Sequence, residues 1–161
     1  MSRSSPLFWR IALDKTYDVI AETREEWNEL GFFYDYNKDT KEWLLEGSRE
    51  GLLQFSRILR EYASKESNKK LGEHDHLGPY SYLTIVTAEL PGITDYGIFG
   101  SLINLSQLSD QLENGVKAAA TGDIIKIDSE YSSSNEAVLI MKIRDDGFDP
   151  SEPDDFAWAK K

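Results

Sequence analysis

The residue types best suited to chemistry lie in one short segment, Glu73-His74-Asp75-His76. In an extended chain, residues two apart point to the same side, so His74 and His76 could share a metal ion that Glu73, Asp75 or a distant carboxylate completes. The same histidines could act as acid and base near neutral pH. A polar loop beside a helix end is the alternative, because the chain has only two histidines and no cysteine. We therefore expect no cofactor, keep the histidines as the only metal candidates, and predict this segment as the binding loop.

A second polar cluster lies near the C-terminus and is made of acids. It lacks the alternating ligands and the terminal glutamate of an EF-hand loop, so calcium binding is not indicated. A solvated tail is one interpretation, and an acidic arm that contacts a basic partner is the other. The aspartates proposed as partner contacts are Asp145, Asp146, Asp149, Asp154 and Asp155.

Motifs for phosphate binding and serine hydrolysis are absent. The glycine-containing segment at 47–51 lacks the Lys-Ser/Thr pair of a P-loop, and no G-x-S-x-G elbow occurs. The aromatic side chains could line a ligand cleft, although strand spacing is more typical of core packing. These aromatics are Trp9, Trp27, Phe32, Tyr34, Tyr36 and Trp43. An enzyme is therefore the less favoured class.

Charge and composition limit the partners. The chain has 161 residues, with 18 Lys and Arg against 29 Asp and Glu, so its formal net charge is −11. Such a charge argues against nucleic-acid binding and against anionic membranes, and favours a basic protein partner. An acidic surface that only maintains solubility is the alternative. The lack of cysteine, of a spanning apolar run and of a signal-peptide core favours a cytoplasmic location.

The hydrophobic pattern predicts two amphipathic helices and several strands. One helix is predicted to begin after Ser48 and the other after Asn104, which has Gln107 three residues on as in a capping box. Thr16–Leu30 is ambiguous, and Gly31 would end a helix there. Residues 67–81 read as a polar loop, and residues 93–100 as a connection of uncertain form. The predicted strands are 8–13, 32–36, 41–46, 82–88, 125–130 and 138–143.

This order of elements predicts an α+β fold, with a mainly antiparallel sheet of hairpins and two amphipathic helices packed on one face. The strand at 82–88 is apolar on both faces and is predicted to be central. We expect a flexible N-terminal tail at 1–6, one α+β domain at 7–145, and an acidic C-terminal tail at 146–161.

One stretch resembles a known family. Leu45-Glu46-Gly47-Ser48-Arg49-Glu50-Gly51-Leu52-Leu53 leads into the first amphipathic helix, and the following loop ends in Glu73-His74-Asp75-His76-Leu77. This pattern resembles the immunity protein 32 group of bacterial polymorphic-toxin immunity proteins, over residues 43–90. The chain departs from that pattern in its long N-terminal extension and in its C-terminal helix and hairpin. The resemblance implies a cytoplasmic protein that binds and blocks a toxin and has no catalysis of its own.

Three hypotheses about function follow from the sequence. The first is a non-enzymatic binding protein of immunity or inhibitor type with a basic protein partner. The second is a structural module that associates with itself, for example as a homodimer, through an exposed strand edge. The third is a metal-dependent protein or small enzyme that uses the segment Glu73–His76.

Overall fold

The computed structural model describes residues 5–159, and within the first helix it describes side chains from Asp18 onward. This part of the chain forms three α-helices and eight strands, which confirms the α+β class. The helices are α1 (Ser5–Leu30), α2 (Arg49–Ser64) and α3 (Leu102–Ala118). The strands are β1 (Phe33–Asn37), β2 (Glu42–Ser48), β3 (His74–Leu77), β4 (Leu83–Thr87), β5 (Gly92–Ile93), β6 (Gly97–Gly100), β7 (Ile124–Ile127) and β8 (Val138–Arg144). Short 3-10 helices lie at Glu66–Lys69 and Ala157–Ala159.

The strands form two four-stranded sheets. The strand order is β1-β2-β8-β7 in the first sheet and β3-β4-β6-β5 in the second. In each sheet the two outer pairs are antiparallel and the central pair, β2–β8 or β4–β6, is parallel. The prediction of a mainly antiparallel arrangement is therefore confirmed, and β4 is central as expected.

The prediction of a strand at 8–13 is wrong, because these residues belong to α1. A short apolar run is compatible with either a strand or a buried helix, and periodicity alone does not separate them. The predicted end of the helix is confirmed at Gly31, which has φ +93° and donates its N–H to the carbonyl of Trp27 at 3.0 Å. Glycine adopts this left-handed conformation without the steric penalty of a Cβ atom.

The first hairpin and the helix that follows it match the prediction. β1 and β2 pair antiparallel, and the Ser48 hydroxyl accepts the N–H of Gly51 at 3.1 Å as the N-cap of α2. A Cβ atom at Gly51 would lie 2.0 Å from the carbonyl oxygen of Gly31, so only glycine lets the end of α1 approach α2 this closely. Leu52, Phe55 and Leu59 are fully buried along one side of α2.

The predicted cap of the second amphipathic helix is wrong by one turn. Ser101, not Asn104, is the N-cap of α3, and Asn104 is its partner in the capping box. The Ser101 hydroxyl accepts the N–H of Asn104 at 3.1 Å, and the Asn104 side chain accepts the N–H of Ser101 at 3.0 Å. Both residue types cap helices well, so their identity alone does not decide between them.

The two sheets share one hydrophobic core. Trp43 of β2 is 2% exposed and donates its indole N–H to the carbonyl of Thr94, between β5 and β6, at 2.7 Å. Ser109 of α3 donates its hydroxyl to the carbonyl of Ser56 in α2 at 2.6 Å, which fixes the two helices against each other. Within residues 5–159 no helix has the length and hydropathy needed to cross a membrane.

The acidic segment at 146–159 returns to α1. Ser151 and Phe156 are buried, and the guanidinium of Arg24 lies 4.5 Å from the centre of the Phe156 ring. At the other end, Ser5 and Pro6 of the predicted tail at 1–6 belong to α1, and the rest of that tail lies outside the described residues. The C-terminal segment therefore covers part of the surface of α1.

Candidate functional site

The predicted binding loop is largely a strand. β3 occupies the outer position of the second sheet and pairs antiparallel with β4. Ahead of the strand, the N–H of Thr87 donates to the carbonyl of Glu73 at 2.8 Å, and the N–H of Gly72 donates to that of Thr87 at 2.9 Å. These bonds and the pairing with β4 hold a polar sequence in extended form, and β4 itself is largely buried. Among the described residues, no strand pairs with the other side of β3.

His74 and His76 share one face of β3, as alternation predicts. Their ring centres are 5.0 Å apart, and the His76 ring stacks on Tyr82 at 5.0 Å with an interplanar angle of 27°. His74 Nδ1 donates to the carbonyl of Gly72 at 3.0 Å, and His76 Nδ1 lies 3.1 Å from the Thr84 hydroxyl. Both rings are exposed, so they are held by hydrogen bonds rather than by burial.

The two acids of the same segment, Glu73 and Asp75, do not lie with the histidines. Tyr62 of α2 donates its hydroxyl to the carbonyl of Glu73 at 2.9 Å, and burial, followed by the carboxylates of Asp75 and Glu73, raises the pKa of Tyr62. Alternation along β3 thus separates Asp75 from the two histidines. Among the side chains that the structure describes, from Asp18 to Ala159, no three His, Cys, Asp or Glu lie close enough together to hold a metal ion.

The histidines are part of a larger exposed surface, which we call the histidine–tyrosine face and define as His74, His76, Tyr82, Asp95 and Tyr96. Tyr82 and Tyr96 are 47% and 49% exposed, which is high for large aromatic side chains. Four residues of this face, His76, Tyr82, Asp95 and Tyr96, line a depression of about 320 Å³. The sequence did not single out these tyrosines, because isolated aromatics beside strands carry no periodic signal.

A shallow groove runs between the end of α1 and β3. Its lining residues, which define the edge groove, are Glu26, Glu29, Leu30, His76, Leu77 and Gly78, around a volume of about 310 Å³. Glu26 and Glu29 are exposed and lie three residues apart, which places both carboxylates on one side of the helix. Sequence reasoning missed them because acids on an ambiguous segment read as ordinary solvated residues.

The C-terminal aspartates have two different roles in the fold. Asp145, Asp146, Asp149 and Asp155 are exposed, whereas Asp154 is only 7% exposed. Asp154 accepts the indole N–H of Trp27 at 3.0 Å and the backbone N–H of Phe156 at 2.8 Å. Its carboxylate therefore anchors the C-terminal segment to α1 and faces away from any partner.

Asp149 is also tied to its own segment. It accepts the backbone N–H of Ser151 at 2.9 Å and the Ser151 hydroxyl at 2.8 Å. These bonds favour the ionised carboxylate, so the pKa of Asp149 lies below its ordinary value. Fewer of the exposed C-terminal acids are therefore free to contact a partner than the sequence suggests.

Most of the predicted aromatic set forms core. Trp27, Phe32, Tyr34 and Trp43 are each at most 4% exposed, and Tyr36 is half-buried. The Trp9 side chain lies outside the described residues. Comparison of the chain with family models, with curated proteins and with solved structures found no match.

Proposed function

We propose that this chain is a non-enzymatic binding protein, of immunity or inhibitor type, that captures a basic protein through β3 and the surfaces on either side of it. The observation that supports it best is an outer strand with exposed polar side chains that lies between an acidic groove and an exposed aromatic face. The resemblance at residues 43–90 points in the same direction. It would place the protein in the cytoplasm, beside the toxin that it blocks.

The shape of β3 suits a protein partner. An unpaired strand edge can receive an extended segment through main-chain hydrogen bonds, while flanking pockets read its side chains. Exposed aromatics such as Tyr82 and Tyr96 are enriched in protein interfaces, because they bury a large area with few rotatable bonds. Exposed histidines and acids on an edge also prevent accidental pairing, which is the structural alternative to a binding role.

Charge supports a basic partner over a neutral one. The net charge is −11, and Glu26, Glu29 and Asp95 border the two surfaces beside β3. Long-range attraction between opposite charges raises the association rate, and salt screens it. A complex formed here should therefore show an association rate that falls steeply as salt concentration rises.

The test is affinity purification of the tagged full chain from cells of its source organism, followed by kinetics with each purified partner. The variant Glu26→Lys/Glu29→Lys reverses the charge of the edge groove. The matched variant Asp145→Lys/Asp146→Lys applies the same change in charge to the C-terminal cluster. We expect the first variant to lose the partner and the second to keep it.

Three results would contradict this proposal. A partner that survives reversal of the edge groove but is lost with the C-terminal variant would place the interface on the acidic arm. A partner whose association rate does not depend on salt would remove the electrostatic argument. A bound protein that is catalytically unaffected by the complex would exclude the inhibitor type.

Self-association is the second candidate, and β7 favours it. This strand is the outer strand of the first sheet opposite β1, and Ile124 is 63% exposed on it. Two copies could pair through this edge and extend the sheet. Light scattering at micromolar concentration, with Ile124→Lys as the disrupting variant, separates a dimer from the monomer that the first proposal expects.

A metal-dependent role for His74 and His76 stays a prediction from the sequence. Elemental analysis of the untagged protein tests it, with the double variant His74→Ala/His76→Ala as the control. Stoichiometric metal that disappears in the double variant would make the metal hypothesis the leading one.

A further inference from the structure

A cavity of about 310 Å³ lies where α1, β1 and the loop before β4 meet. Ligand sites in proteins begin at about 300 Å³, so the space suits a small group rather than a drug-sized molecule. It shares no lining residue with the edge groove. Tyr36 and Ser81 line both this cavity and the depression of the histidine–tyrosine face, so the two surfaces are continuous.

Aromatic rings form most of the cavity wall. The ring centre of Trp27 lies 4.9 Å from those of Phe33 and Tyr34 and 6.1 Å from that of Tyr80. Tyr34 lies within hydrogen-bonding distance of the carbonyl oxygens of Leu77 and Tyr80, at 2.9 and 2.6 Å. Phe33, Tyr36 and Tyr80 are the partly exposed rings of the lining, whereas Trp27 and Tyr34 are almost fully buried. Aromatic faces carry a negative electrostatic potential, so the partly exposed rings can attract a cation.

Asp35 is the carboxylate that lines this cavity. Its side chain reaches solvent, and no described cation lies within ion-pair distance of it. Partial burial raises the pKa of Asp35 above its ordinary value, as expected for a carboxylate that has lost water without gaining a cation. Lys38 also lines the cavity, in the turn after β1, without forming an ion pair with Asp35.

We propose that this cavity binds an alkylammonium group, and that the group is the lysine side chain of the basic partner. The aromatic walls would take the aliphatic stem and the ammonium, and Asp35 would neutralise the charge. The inference rests on the proposed function for the source of the lysine. The chemistry of the cavity can be tested with small probes alone.

The experiment is an NMR titration of the full chain with three probes. They are N-acetyl-lysine methylamide, its uncharged analogue N-acetyl-norleucine methylamide, and n-butylammonium. The indole N–H of Trp27 is the reporter, because its hydrogen bond to Asp154 gives it a distinctive environment. We expect the lysine probe to shift this signal and to bind about tenfold more tightly than the norleucine probe.

Two acids provide the matched comparison. Asp35→Asn keeps the shape of the side chain and should weaken the lysine probe about tenfold. Asp39→Asn makes the same change at an exposed position in the turn after β1, outside the cavity lining, and should leave binding unchanged. Lys38→Met removes the competing cation at the rim and should tighten binding about twofold.

Each result opposite to the expected one would contradict one part of this inference. Equal binding of the lysine and norleucine probes, or equal effects of Asp35→Asn and Asp39→Asn, would overturn the cation site. Binding of n-butylammonium without the blocked lysine would overturn the lysine source and assign the cavity to a free amine. If the partner complex forms and Asp35→Asn leaves it unchanged, this inference fails while the proposed function stands. If the probes bind but the Glu26→Lys/Glu29→Lys variant keeps its partner, the proposed interface fails instead.

Discussion

β1 and β3 are both outer strands, yet their surroundings are opposite. Tyr34 of β1 is 4% exposed beneath Trp27 and the loop that follows β3, whereas His74, Asp75 and His76 of β3 are all exposed. An open edge invites pairing with another chain, and charged side chains are the usual protection. The comparison indicates that β1 contributes to stability, and it is consistent with our proposal that a partner binds at β3. Substitutions of the buried residues that cover β1 should therefore change the free energy of unfolding, whereas those of the exposed residues on β3 should change binding.

The largest effect is expected at Trp27, which covers β1. Trp27→Ala removes a buried ring and leaves the carboxylate of Asp154 without its indole donor, so the free energy of unfolding should fall by about 3–5 kcal/mol. Urea denaturation measures the change. Trp27→Phe keeps most of the ring but removes the N–H, and should lower stability by about 1–3 kcal/mol.

Val19 provides the control for Trp27. It lies on the same helix and is 43% exposed, so Val19→Ala should change the free energy of unfolding by no more than about 0.5 kcal/mol. Comparable losses for Val19→Ala and Trp27→Ala would contradict the view that α1 is attached through the Trp27 cluster.

Two glycines, one on each side of β3, provide the next test of the comparison between β1 and β3. Gly78 and Gly72 have nearly the same backbone conformation, with φ +93° and +89°, but only Gly78 is crowded. A Cβ atom at Gly78 would lie 2.0 Å from the Tyr34 hydroxyl oxygen, whereas nothing lies within 4 Å at Gly72. Gly72→Ala should lower stability by about 1 kcal/mol through backbone strain alone.

Gly78→Ala carries the same strain and must also displace the Tyr34 ring, so we expect a loss of about 2–4 kcal/mol. Thermal or urea unfolding of both variants gives the difference directly. Equal losses would show that the loop before β4 does not pack tightly on β1.

The elements predicted correctly from the sequence are those whose signals are local. The hairpin β1–β2 has a polar turn between aromatic runs, and α2 has both a capping serine and a regular apolar stripe. The sequence does not define β6, because this strand is short and begins at a glycine. A Cβ atom at Gly97 would lie 1.9 Å from the carbonyl oxygen of Thr84, so the strand requires glycine there. That requirement depends on a neighbouring strand, which the local sequence does not identify.

The division into two sheets depends on distant pairings as well. β2 pairs with β8 although about a hundred residues separate them, and β4 pairs with β6, both in parallel. Turn signals predict hairpins, but no local pattern predicts which hairpins join edge to edge. The sequence therefore supported the α+β class without indicating two sheets.

The candidate site was predictable only in part, for the same reason. His74 and His76 were singled out by their type and spacing, and the structure places their rings together. Glu26 and Glu29 reach the same region only because α1 ends beside β3. Asp35 is one acid among many in the sequence, and its aromatic surroundings exist only in the folded chain.

Smaller effects, opposite in sign, are expected from two aspartates as pH changes. Partial burial raises the pKa of Asp35 above the ordinary value of 3.8. Asp35 therefore stabilises the folded state below pH 3.8, and this stabilisation is lost as the pH rises through the pKa of the folded state. Asp35→Asn should therefore raise the free energy of unfolding at neutral pH. The pKa of Asp149 is lowered by the backbone N–H of Ser151, so its contribution is present above 3.8 and is lost as pH falls through the folded value.

Asp149→Asn should lower stability at neutral pH, and only modestly, because the amide oxygen can still accept the N–H of Ser151. Urea denaturation of both variants at neutral pH and below pH 3.8 tests the signs. If both variants shift the urea denaturation curve in the same direction at neutral pH, the assigned causes of the two pKa shifts are wrong.

A small effect on stability, and a large one on binding, is expected on β3 itself. His74→Ala/His76→Ala removes two exposed rings and their Nδ1 hydrogen bonds to Gly72 and Thr84, and should change the free energy of unfolding by no more than about 1 kcal/mol. The same variant removes the stack of His76 on Tyr82 from the histidine–tyrosine face, so the partner should dissociate faster. Replacing Glu73 and Asp75 as well tests the whole segment. If that fourfold variant keeps both its stability and its partner, then β3 is only a protected edge, and the search for the interface moves to the acids at Asp145 and Asp146.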